Sequence, residues 1–126
     1  MAKVEPIIIG MLNVTGIPNI REIVDDINQS IDQIRNARGE RIAQILRELG
    51  QEILTDPRMD NQARQETIEN LRTLAREASL PSAQRQLGAV KDALASIPSL
   101  LSTSLNIRNY FQVHLGDLRG FFGIAG

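Results

Sequence analysis

His114 is the only histidine of this 126-residue chain, and cysteine is absent. Zinc sites draw on Cys and His with Asp or Glu, and one histidine, with Asp117 as its nearest acid in sequence, does not supply such a set. Di-iron carboxylate bundles need two Glu-x-x-His motifs, which a single histidine excludes. Glu48, Glu52 and Asp56 follow one another at a spacing of four. Paired carboxylates do acid–base work in a pocket that perturbs them, but Arg47 adjoins these and the pattern reads as a solvated helical face. Ser96, Ser99, Ser102, Thr103 and Ser104 lack both a G-x-S-x-G setting and a base. They suit small contacts between helices or bonds to helix carbonyls. Arg35, Arg38 and Arg41 stand three apart, with Arg47 beyond them. Phosphate recognition along that line is diluted by Glu40 and Glu48 and has no interleaved aromatic. Arg38 falls near the apolar stripe of its helix, where a charge sets register by finding a carboxylate on a partner helix. The chain is therefore expected to be no enzyme, with no catalytic, metal or cofactor-binding residue and no nucleic-acid partner.

The elements that carry these residues are helical. In residues 19–54 the apolar series Ile20, Ile23, Val24, Ile27, Ile31, Ile34, Ile42, Ile45, Leu46, Leu49 and Ile53 keeps steps of three and four. That spacing predicts one long amphipathic helix, with a weak point at Gly39 because glycine costs about 1 kcal/mol relative to alanine inside a helix. Asp56-Pro57 reads as the cap and first position of a second helix over 57–79. It buries Ile68, Leu71, Leu74 and three alanines. Ser82 reads as the cap of a third, kinked apolar helix pair over 82–126, split at Pro98. Beyond Pro98 the apolar residues fall on every side of the helical wheel, which predicts burial all round. Residues 1–18 form an apolar arm punctuated by proline and glycine, and Ile7, Ile8 and Ile9 have no second strand to pair with. The expected fold is a single all-α domain, an antiparallel bundle of three main helices with short turns.

All four aromatic residues, Tyr110, Phe111, Phe121 and Phe122, lie within thirteen positions near the C-terminus. From Ala93 onward the only charged side chains are Arg108, Asp117 and Arg119. Residues 19–79 hold nine Arg against twelve Asp plus Glu, a net −3, and residues 80–126 hold four basic and two acidic side chains, a net +2. With a formal total of −1, no global field draws the chain to nucleic acid or anionic lipid. The missing cysteines fit a reducing, cytoplasmic setting, the start lacks the features of a secretory signal, and no window reaches the ~20 apolar residues of a membrane span.

A long helix followed by shorter ones leaves apolar surface to cover, and symmetric self-association is the commonest cover. The expected function is an interaction or assembly protein, first of all a homodimer and open to another protein partner. The expected interface is formed by Ile27, Ile31, Ile34, Ile42, Ile45, Leu49, Tyr110, Phe111, Leu118, Phe121 and Phe122. The last eight residues, Arg119-Gly-Phe-Phe-Gly-Ile-Ala-Gly126, resemble membrane-inserting fusion peptides in composition. The competing reading is a small toxin or pore former that inserts its apolar termini, favoured by their pairing with an amphipathic middle, though an interfacial helix normally carries a basic face that is missing here.

Overall fold

The computed structural model describes residues 6, 7, 16–36 and 39–124. Five α-helices form among them: α1 (Ile20–Asn36), α2 (Glu40–Thr55), α3 (Asn61–Ser79), α4 (Leu87–Leu100) and α5 (Leu105–Phe122), with a 3₁₀ turn at Ser82–Gln84. The fold is all-α. Helix α3 is its hub, packing against α1, α2 and α4, while α1 also packs on α2. Helix α5 rests mainly on α2, with a smaller contact to α4.

The continuous helix expected over 19–54 is replaced by two helices. Asn19 takes a left-handed φ of 60°, which asparagine tolerates, and its carbonyl accepts from Ile23 N–H to open α1. Gly39 N–H returns to Ile34 C=O at 2.8 Å beyond the end of α1. A Cβ on buried Gly39 would collide with Ile34 Cγ2 and stand 3.0 Å from the Ile34 carbonyl oxygen. The glycine is thus needed for a close approach at a turn, and that turn folds the two halves of the isoleucine stripe onto a shared core.

The second helix starts four residues later than expected. Asp60, rather than Asp56, caps it: its Oδ1 accepts from Ala63 N–H at 2.8 Å, satisfying a first-turn donor. Asp56 instead closes the preceding turn by accepting from Arg58 N–H. Arg64, 3% exposed, donates Nε–H to Ile53 C=O at 3.0 Å and a terminal N–H to Asp56 C=O. It thereby occupies carbonyls that the end of α2 leaves open.

The third helix begins at Leu87 rather than at Ser82, because Ser82–Gln84 form the 3₁₀ turn. Gln86 N–H, at the cap of α4, donates to Glu77 Oε1 at 2.6 Å, so a carboxylate at the end of α3 starts α4. The segment does divide into two helices, but the break falls at residues 101–104, just beyond Pro98. Pro98 sits in the last turn of α4, which continues to Leu100 before the turn into α5. Helix α5 ends in left-handed Gly123, φ 70°, with Ile124 N–H bonded to Arg119 C=O at 2.9 Å. Nor is α5 buried all round, since Leu105 is 60% and Val113 75% exposed. Of the apolar arm, Ile7 and Ile17 are described with their side chains buried.

Candidate functional site

The titratable side chains that converge most closely do so along the seam between α2 and α5. One helical edge of α2 carries Arg41, Gln44 and Glu48, each following the last by about one turn, with Glu40 beside Arg41 at its start. The facing edge of α5 carries Ile107, Tyr110, His114 and Asp117 by the same rule. Ile45, Leu49 and Ile107, all buried, form the apolar floor that holds the two edges together. Phe111 beside them is fully enclosed. Arg85 pins the far end of α5. It donates to the Glu77, Ala78 and Leu80 carbonyls, and its guanidinium lies 4.6 Å from the Phe121 ring centroid and 5.6 Å from that of Phe122.

Both oxygens of Glu48 accept hydrogen bonds. Tyr110 O–H donates to Oε2 at 2.5 Å, and Gln44 Nε2 donates to Oε1 at 2.7 Å. These bonds, Tyr110 first, hold the Glu48 carboxyl below its usual range, and the nearby Arg47 and His114 charges add to them against the cost of burial. Burial, with the Glu48 charge beside it, pushes the Tyr110 phenol well above the usual range. Arg41 Nε donates to Asp117 Oδ2 at 3.0 Å and lowers that carboxyl. His114 Nδ1 stands 3.5 Å from the same oxygen, and its ring lies 4.4 Å from that of Tyr110, tilted by 50°.

Two hollows flank Tyr110. One, of about 450 Å³, is lined by Arg47, Gln51, Glu52, Asn106 and Ile107; the other, of about 470 Å³, by Glu40, Arg41, Gln44, Ile45 and His114. Glu48 and Tyr110 border both. In this arrangement the carboxylate stays ionised and the phenol stays protonated. That suits a fixed hydrogen-bonded clasp, whereas proton transfer near neutrality needs groups tuned toward the working pH. Among the described residues no group of three or more His, Asp or Glu gathers to hold a metal ion.

The residues expected to form an interface are brought together, but in the interior. Ile27, Ile31, Ile34, Leu49, Phe111 and Leu118 are 0–1% exposed, and Ile42, Ile45 and Phe122 2–4%. Only Tyr110 and Phe121 of the set are half-buried. The turn at Gly39 closes the stripe within one chain, so these positions need no second copy to cover them. The Glu48–Tyr110 bond joins residues 62 apart, and sequence reading took Glu48 for a solvated face. A usable signal was there: Glu48 flanks the Ile45–Leu49 floor, and Tyr110 is the one phenol in an apolar helix. Comparison of the chain with protein-family models, curated proteins and solved structures gives no match.

Proposed function

We propose that this protein is a non-enzymatic helical interaction module that pairs with a second copy through the outer face of α5. One observation carries the reading. Helix α5 presents to solvent an uncharged stripe of Leu105, Asn109, Gln112, Val113, Gly116 and Gly120, with Leu105 60% and Val113 75% exposed. Among the described residues a Cβ on Gly116 or Gly120 would meet nothing within 4 Å, so no described neighbour requires either glycine. Each nevertheless costs the helix about 1 kcal/mol relative to alanine. Small residues four apart on an uncharged face let a second helix approach closely, and a helix about 27 Å long accommodates one of equal length. The clasp on the opposite edge of α5, Glu48–Tyr110 and Arg41–Asp117, fixes which side faces out. A cytoplasmic dimer with neighbouring helices running antiparallel completes the proposal.

The test is a charge in the middle of the stripe. Val113→Glu places a carboxylate at a 75% exposed site, where it leaves the fold intact and repels its symmetry mate. Sedimentation should show the parent associated and the variant monomeric. Association unchanged by Val113→Glu contradicts the reading. The membrane alternative draws on the same exposed side chains, although no helix among the described residues is long and apolar enough to cross a membrane. Leakage of vesicles by the parent, lost in Val113→Glu, would favour it instead.

A further inference from the structure

Asp56-Pro57, a helix cap by its sequence, lies instead in the turn between α2 and α3, with Pro57 exposed to solvent. An Asp–Pro bond is more easily cut in mild acid than other peptide bonds, for two reasons. The aspartate side chain closes a five-membered ring on its own main-chain carbonyl. Proline nitrogen carries no N–H and leaves, once protonated, as a secondary amine. As the ring closes the carbonyl oxygen becomes an oxyanion, and a fixed donor at that oxygen lowers the barrier. Here the donor is a cation. Arg64, 3% exposed, donates a terminal N–H to Asp56 C=O. Its Nε–H to Ile53 C=O at 3.0 Å and its Nη1 to Asn61 Oδ1 at 3.3 Å hold the guanidinium in place. Burial pushes that guanidinium below its usual range, the Asp56 and Asp60 charges oppose the shift, and the group stays cationic. Asp56 Oδ1 accepts from Arg58 N–H at 2.8 Å, which restrains the nucleophile within the turn. A tethered carboxylate, a charged donor at the developing oxyanion and a solvent-facing leaving nitrogen are the parts of an acyl transfer.

We propose that the chain cuts itself between Asp56 and Pro57 in mildly acid solution, with Arg64 as the oxyanion donor. An Asp56 carboxylate oxygen attacks the Asp56 main-chain carbonyl carbon, and the carbonyl electron pair moves onto the oxygen held by Arg64. The pair returns as the C–N bond breaks, and Pro57 nitrogen takes a proton from solvent acid. Water then opens the cyclic anhydride left at Asp56, restoring the side-chain carboxyl and forming a new α-carboxyl. One water is consumed, and one carboxylic acid and one secondary amine are formed. Among the described residues, Arg64 from α3 and Asp60 and Arg58 within the turn are the charged groups gathered at the bond. From α2, Glu52 C=O accepts from Asp56 N–H, and from the turn before α5, Thr103 donates to Arg58 C=O at 3.4 Å. Packing of α3 on α1 and α2 keeps the two pieces together after the cut. The site is separate from the α5 stripe, and its test does not depend on dimerisation.

The test is intact-mass spectrometry of full-length protein held for days at about pH 5, where folded chains keep most of their stability. Fragments 1–56 and 57–126 should appear about tenfold or more faster from the folded protein than from the same chain unfolded in urea at that pH. Asp56→Asn removes the nucleophile and should abolish both fragments. Arg64→Gln, melting cooperatively, should cut at the rate of the urea-unfolded parent. A folded parent that cuts no faster than its unfolded form would overturn the proposal. So would a cooperatively melting Arg64→Gln protein that cuts at the parent rate. The urea comparison needs no variant, so it decides even where Arg64→Gln does not fold.

Discussion

Replacing Gly39 by alanine separates a broken helix from a continuous one by the sign of the effect. In an uninterrupted helix over 19–54, glycine to alanine would stabilise by about 1 kcal/mol. At the observed turn the added methyl collides with Ile34 Cγ2 and crowds the Ile34 carbonyl, and it stands 3.4 Å from Phe121 Cε1. Ile34 is 0% exposed and β-branched, so its side chain has nowhere to turn. Overpacking of this kind costs about 1–3 kcal/mol, which for a domain of this size lowers Tm by roughly 3–15 °C. Gly88 is the control, since it lies in α4 with nothing within 4 Å of an added Cβ, and Gly88→Ala should raise Tm slightly. Differential scanning calorimetry of both variants beside the parent decides. A Gly39→Ala protein that melts at or above the parent would refute the turn and the folded-back stripe that depends on it.

Other consequences follow from burial and from the clasp. Phe111→Ala should destabilise by about 3–5 kcal/mol and Ile31→Ala or Ile45→Ala by about 2–5 kcal/mol, whereas exposed Gln33→Ala should stay within about 0.5 kcal/mol in urea titrations. Gln44→Ala should cost about 0.5–1.5 kcal/mol, because Gln44 donates to Glu48. The Glu48 carboxyl is depressed in the fold from 4.5. Its contribution to stability is complete above that value and is lost as pH falls through the lower folded one. Tyr110→Phe, which removes the largest cause of that depression, should flatten the acid limb of Tm against pH. On the alkaline side the phenol is raised from 10.0. The fold retains a proton that the unfolded chain releases, so the parent should lose stability as pH climbs past 10.0, and Tyr110→Phe should lack that loss.

The helical character and nearly every core position were legible in the sequence, because the steps of three and four among Ile23, Ile27, Ile31, Ile34, Ile42, Ile45 and Leu49 directly encode a buried face. The break in the first helix was not. Ile34 and Ile42 are eight apart, which keeps the stripe in phase, and what excludes a Cβ at Gly39 is a contact created by the turn itself. The start of α3 was misplaced because two Asp residues four apart, Asp56 and Asp60, are equally good caps by type; the carboxylate that reaches a helical N–H belongs to the second. No pattern in the sequence singles out Arg64 or Arg85, yet each finds several backbone carbonyls and becomes part of the scaffold. The seam was the least legible part. It depends on which edge of α5 meets α2, and an apolar helix with residues on every side of its wheel gives no preferred edge. Leu105 and Val113 were assigned to the interior for the same reason.

The mass of the full-length protein in solution tests the central proposal most directly. Static light scattering over a micromolar concentration series should approach twice the chain mass of 14.0 kDa, and Gly116→Ala should weaken that association while raising the thermal stability of the chain itself. A mass that stays at 14.0 kDa across the series would contradict pairing through α5.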